Sequence, residues 1–205
     1  ACGGCGRCCR AQRITLSPYE IARLARATGA TTRDILERHT DEGGTVLRFG
    51  EDGACTFLRD GACSVHEGRP LACRLYPLGR IVRGEREFVV ELEPRARSAG
   101  AYGQVGTVDD WVDVQGARPF IETARRYHEL LTKMAEVLST LEDGRAALEA
   151  TLAAPEHARS DWLDVDAVVS DACRSQGSAE PAFGDTDARV EIHLHQLERW
   201  VATFE

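Results

Sequence analysis

Cys2-Gly3-Gly4-Cys5-Gly6-Arg7-Cys8-Cys9 places four thiols within eight residues. Two thiolates separated by two residues can clamp one soft metal ion, because the short loop turns back on itself. Glycines at positions 3, 4 and 6 let the loop take the positive φ values that such a turn often needs. The repeated C-x2-C-x2-C spacing also overlaps the bacterial iron–sulfur pattern, in which a distant cysteine supplies the fourth thiolate. Neighbouring residues rarely point both sulfurs comfortably at one ion. The Cys8-Cys9 pair therefore predicts two nearby metals or a cluster with several irons.

Working outward, three more thiols follow as Cys55, Cys63 and Cys73, the last inside Arg69-Pro-Leu-Ala-Cys-Arg-Leu-Tyr-Pro77. The total of eight cysteines is even, so disulfides are the rival reading. Closely spaced C-x2-C-x2-CC runs pair poorly among themselves, since most such loops would be strained. A chain of 205 residues is also long enough to bury a core without covalent staples. Metal is the favoured reading. The sequence shows no hydrophobic leader and no apolar run approaching the roughly 18 residues of a membrane span, so a cytoplasmic protein without membrane contact is expected.

Formal net charge is −8, unevenly spread. Residues 1–40 hold seven Arg against three acids, Glu20, Asp34 and Glu37, whereas residues 141–205 hold fourteen acids against five Arg. A net acidic chain argues against non-specific nucleic-acid binding, which rests on phosphate neutralisation by Lys and Arg. Arginines near a set of thiolates would offset their charge, with solvated helix faces as the plainer explanation.

Ser17-Pro18-Tyr19-Glu20 starts a helix by cap, first-position proline and third-position glutamate, and Gly29 closes it. Thr32 is expected to cap a second helix through about His39, whose imidazole reads as a surface group. These two helices should buttress the cysteine loop. Thr45–Phe49 and Ala54–Leu58 alternate like strands, and Asp60-Gly61 signals a hairpin returning through Ala62–Val65. That hairpin would set Cys55 and Cys63 on neighbouring strands. Ile81–Leu92 reads as a second hairpin about Gly84-Glu85, and residues 93–106 as loop.

Helical character follows. Thr107 and Asp110 resemble a capping box, and Pro119 opens a long helix with Phe120, Ala124, Tyr127, Leu130, Leu131, Met134, Val137 and Leu138 on its apolar stripe. Further helices are expected over about 143–153, around Trp162, Val165, Val169 and Cys173, and from about Asp187 with Val190, Leu194, Leu197, Val201 and Phe204 inward. Cys173 reads as an inert buried thiol, and His193 and His195 as surface groups. The predicted fold class is α+β: a small irregular cysteine-rich metal-binding region with short hairpins over 1–105, packed as one unit with a mostly α-helical half over 106–205.

The joint pattern C-x2-C-x2-CC, C-x7-C and R-P-x2-C-R-x-Y-P resembles the YkgJ-like family of zinc- or iron-chelating cysteine-cluster proteins. The resemblance covers Cys2 to about Pro77 and continues more loosely, through Gly106-Thr-Val and Gln115-Gly-Ala, to about Leu131. It implies that Cys2, Cys5, Cys8, Cys9, Cys55, Cys63 and Cys73 are metal ligands, holding an iron–sulfur cluster or zinc or iron ions. Flagellin lysine methylase shares a related cysteine cluster, which implies iron–sulfur chemistry on protein or small-molecule substrates. No glycine-rich nucleotide loop follows a strand here to support a methyltransferase. Many family members carry a further cysteine near Ser98, and its loss would leave a coordination position open for water or substrate, or for Cys173 or a histidine. The family usually has Tyr where His66 stands, so His66 reads as packed or solvent-facing.

Arg69 and Arg74 are expected to support the thiolates or a backbone carbonyl, with an anionic substrate over the metal as the alternative. Three functions compete. One is an iron–sulfur or iron-dependent oxidoreductase or modifying enzyme acting on a small-molecule or protein substrate. The others are a structural-zinc protein-interaction module and a metal carrier or sensor.

Overall fold

Helix α1 (Pro18–Thr28) is fixed by its first turn. In the computed structural model, which describes residues 2–84, 86–100, 105–140 and 161–203, Ser17 Oγ accepts from Glu20 N at 3.4 Å and Glu20 Oε2 accepts from Ser17 N at 2.6 Å. The same carboxylate reaches across the molecule: its Oε1 accepts from Leu71 N at 2.8 Å, at the start of α3 (Leu71–Leu75). One buried glutamate therefore caps two helices, and burial pushes its carboxyl pKa up. Gly29 ends α1 in the left-handed region at φ 70°.

α2 (Thr32–His39) begins one residue earlier in its cap than expected. Thr31 makes the capping box with Asp34, while Thr32 turns inward and donates from Oγ1 to Asp164 at 2.5 Å. The buried Thr32 hydroxyl needs a partner of its own, and the exposed Thr31 is left to serve the helix end. Asp164 in turn caps α6 (Val165–Gln176) and pairs with Arg33 at 2.8 Å.

Three two-stranded antiparallel sheets make up the β structure among the described residues. β1 (Thr40–Asp41) pairs with β2 (Val46–Leu47), β3 (Leu58–Arg59) with β4 (Ala62–Cys63), and β5 (Leu78–Arg83) with β6 (Arg86–Glu91). The two expected hairpin turns are where the sequence placed them. The ladders at β2 and β3 are shorter than the alternation over 45–49 and 54–58 implied. Cys63 faces Leu58, so Cys55 lies outside that ladder, bridged instead to Phe49.

α4 (Val108–Val114) opens on the Thr107–Asp110 capping box, and α5 (Arg118–Thr140) follows after Gly116 at φ 57°. α5 buries Phe120, Tyr127, Leu130 and Met134, but Leu131 remains 40% exposed. α7 (Thr186–Ala202) buries Val190, Leu194, Leu197 and Val201, each stabilising by roughly 1.5–3 kcal/mol. The helix expected over 143–153 and Phe204 lie outside the described residues. No helix among the described residues is long and apolar enough to cross a membrane.

Two apolar cores result. Ile14, Leu16, Ile21, Leu24, Ile35, Leu36, Leu47, Phe57 and Val65 form the one beside the cysteines. Tyr19, Ala22, Leu71 and Leu75 join the second, with the inward faces of α4 to α7. Helix α1 belongs to both, presenting Ile21 and Leu24 to one and Tyr19 and Ala22 to the other.

Candidate metal centre

Four stretches of chain bring sulfur to one place. The amino-terminal loop carries Cys2, Cys5, Cys8 and Cys9 and turns where Gly4 and Gly6 each take φ 65°. A Cβ on Gly6 would lie 2.5 Å from Gly61 O and 2.7 Å from Leu58 Cδ1, so the loop lies directly on the β3–β4 turn. Its far end is laced to the second stretch: Cys55 N donates to Cys9 O at 3.0 Å and Ala11 N to Gly53 O at 2.8 Å. Cys63 comes from β4 and Cys73 from α3.

All seven of these cysteines line one cavity of about 60 Å³, walled by Ile14, Leu47, Phe49, Phe57 and Val65. That is room for a few water-sized bodies. Ser98 and Gly100 close another side. They belong to a strap over 95–100 that is pinned at both ends of its reach. Arg95 N donates to Tyr76 Oη at 2.5 Å, Arg95 Nη2 to Ala11 O at 3.2 Å, and Ala99 N to Cys5 Sγ at 3.2 Å.

The thiols are already unlike one another. The neighbouring Cys9 thiol lowers the Cys8 pKa to about 7 and that of Cys63 to about 6, while its own is pushed well up by these two sulfurs and by burial. Backbone N–H groups of Ala99 and Arg7 lower Cys5, while burial pushes Cys55 and Cys73 up. Positive charge reaches Cys8 from Arg95 and Cys63 from Arg69. Four of the seven arginines in residues 1–40 are held by carboxylates instead. Arg10 pairs with Asp52, Arg13 with Glu42, Arg33 with Asp164 and Arg38 with Asp34.

Among the described residues, no three Cys, His, Asp or Glu side chains are set at the spacing that holds a metal ion. The sulfurs share a cavity, with Cys2, Cys5 and Cys55 accepting from backbone N–H groups. The donor set nonetheless fits zinc, iron or an iron–sulfur cluster: seven soft donors with apolar walls are what such ions select. A second observation agrees. His66 lines the same cavity, and its Nε2 is buried without a partner.

Arg74 does not line the cavity. It donates to Arg69 O at 3.1 Å, Gln115 O at 3.0 Å and Glu67 O, and lies 4.2 Å over the Phe120 ring. Burial lowers its pKa to about 10. Arg69 does line it, held by His66 O at 2.6 Å and Gln115 Oε1 at 3.1 Å. Both guanidiniums thus bind protein groups and latch α3 to the α4–α5 turn, while Arg69 Nε remains buried without a partner. Gln115, the receiver of both, carried no site signal in the sequence beyond its place in the loosely matching segment.

Every one of the eight cysteines is a free thiol, and Cys173 lies apart in the helical core. Two histidines differ from expectation. His193 is fully buried, its Nδ1 accepting from Tyr127 Oη at 2.9 Å and its Nε2 donating to Trp162 O at 3.0 Å. Spacing alone placed it on the surface, because its partners are distant in sequence. His39 is half-buried, stacked 4.5 Å from the Phe57 ring and bonded to Thr56 Oγ1 at 2.8 Å.

An α+β fold of short hairpins and helices, with seven thiols sharing one apolar-walled cavity, defines a cysteine-cluster protein. The family model described as "CxxCxxCC: Putative zinc- or iron-chelating domain" matches residues 1–94, so this stretch is similar to that family. This places it among metal-binding proteins. The match ends before α4, short of the looser likeness read to Leu131. No curated protein and no solved structure gives a significant match.

Proposed function

We propose that Cys2, Cys5, Cys8, Cys9, Cys55, Cys63 and Cys73 hold an iron–sulfur cluster or a centre of more than one zinc or iron ion. Its proposed use is redox or modification chemistry on a small-molecule or protein substrate. The observation that carries this is the convergence of seven sulfurs, from four stretches of chain, on one cavity of about 60 Å³. Seven thiols outnumber the four of a single tetrahedral site.

When bound, an iron–sulfur cluster would supply electron transfer, and zinc Lewis acidity. The chain's own residues prepare for either. Cys63, Cys8 and Cys5 have lowered pKa values and offer thiolates first, while Cys9 holds a proton that must leave on loading. Arg69 and Arg95 reduce the cost of gathered negative charge, and Ile14, Leu47, Phe49, Phe57 and Val65 give the cavity apolar walls. Free thiols of this kind persist in a reducing compartment, which supports the cytoplasm as location.

A structural-zinc interaction module is the second reading, favoured by the β5–β6 hairpin, which exposes Ile81, Phe88, Val89, Val90 and Leu92. Anaerobic purification with metal and acid-labile sulfide analysis separates the two. Brown protein with sulfide is expected for the cluster, colourless protein with stoichiometric zinc for the module. A full chain that carries no metal and takes up neither Zn²⁺ nor Fe²⁺ overturns both.

A further inference from the structure

His66 presents an unusual combination. Its ring lines the cysteine cavity and its side chain is 34% exposed overall, yet Nε2 is shut away from solvent with no partner. The exposed part is therefore the other edge, and Nε2 is the buried one. The tautomer follows from the neighbours of Nδ1. Arg69 Nη1 stands 3.3 Å from it, and a guanidinium can only donate, so Nδ1 accepts and the ring proton sits on Nε2. Glu67 Oε1 would favour the opposite arrangement, but it lies 3.7 Å away on a side chain that is 99% exposed. That distance is too long for a hydrogen bond. Arg69, 8% exposed and fixed by Gln115, prevails.

A metal-ligating histidine needs a lone pair on the ligating nitrogen and normally donates its other N–H to a carboxylate or carbonyl. Here the other nitrogen faces a cation. A buried N–H left unpaired costs roughly 1–3 kcal/mol, and the acceptors that share its cavity are mainly the cysteine sulfurs. We propose that His66 serves the centre as a hydrogen-bond donor, its Nε2–H bonding a thiolate sulfur of the loaded site, and that it is not a ligand. This rests on the metal-centre reading above. Such a bond draws electron density from sulfur, easing the gathering of like charges and raising the energy of sulfur-to-metal charge transfer.

Cobalt(II) titrated anaerobically into the full chain tests this, with His66→Phe and His66→Gln beside the wild type. The Gln amide can donate from near the place of Nε2. His66→Phe is expected to bind as many cobalt equivalents as the wild type, with its thiolate-to-cobalt band moved to longer wavelength. His66→Gln should move the band back. Loss of a cobalt equivalent in His66→Phe would make His66 a ligand and overturn the proposal, as would a band that does not move. Should the Phe variant not fold, ¹⁵N-histidine NMR of the zinc-loaded wild type decides. A proton on His66 Nε2 supports the assignment, and a zinc-bound Nε2 overturns it. A wild type that binds no cobalt removes the metal-centre reading itself, an outcome distinct from an unmoved band.

Discussion

Cys63 and Cys173 show how differently two thiols can serve one chain. Cys63 lies in the cavity and has its pKa lowered to about 6 beside Cys9, whereas Cys173 packs with Val169 and Leu194 in the helical core. Cys63→Ser is expected to lower metal content and melting temperature together, because metal binding and folding share one free energy. Cys173→Ala should leave metal content unchanged and cost about 1 kcal/mol, a fall of roughly 2–4 °C. Metal analysis with thermal melts reads both, and equal metal loss in the two variants would contradict the assignment. Spacing made seven thiols legible as a set and left Cys173 outside it. It could not show which of them are acidified, since Cys8 and Cys63 depend on Cys9 lying between them and Cys5 on Ala99 arriving from a loop nearly a hundred residues away. The burial of His193 was hidden for the same reason: an imidazole is defined by its partners, and Tyr127 is 66 residues from His193.

At the scale of elements, local chemistry was the readable part. The capping boxes at Ser17 and Thr107, the Gly29 stop and both hairpin turns follow from nearest neighbours along the chain, and all formed as expected. Strand lengths did not, since a two-residue ladder is decided by what the cysteine loop lies against. The loop glycines test this division. Gly4 and Gly6 share φ 65°, but a Cβ on Gly4 meets nothing within 4 Å, while one on Gly6 meets Gly61 O and Leu58. Gly4→Ala is expected to cost about 1 kcal/mol of left-handed strain alone. Gly6→Ala should cost about 1–3 kcal/mol more and reduce metal uptake, since it lifts Cys5 and Cys8 off the hairpin. Denaturant melts alongside zinc titration distinguish them, and equal effects in the two would refute the contact.

For the whole molecule, α+β with a helical carboxy-terminal half was legible from the change of hydrophobic period near residue 107. The sharing of cores was not, because Tyr19 and Leu71 look like members of the cysteine-rich half until α5 and α7 are laid against them. That helical core carries a pH dependence. Burial lowers the His193 pKa from 6.5 to about 4, so below pH 6.5 the unfolded chain takes up a proton that the folded chain refuses. Stability is therefore full above about pH 6.5, falls as the pH drops, and levels off near pH 4, with at most about 3 kcal/mol at stake. His193→Gln is expected to flatten this part of the curve in urea melts taken from pH 7 to pH 4. An unchanged slope would show that His193 does not carry it.

Helix α1 has a consequence of its own. It is a party wall, with Ile21 and Leu24 packed into the core beside the cysteines and Tyr19 and Ala22 facing the bundle. Severing the chain near residue 105 would strip that wall of its tenant on the far side and leave an oily stripe of Tyr19, Ala22, Leu71 and Leu75 in water. Neither piece could be cut free intact, and whatever tightens the chamber also braces the rooms behind it.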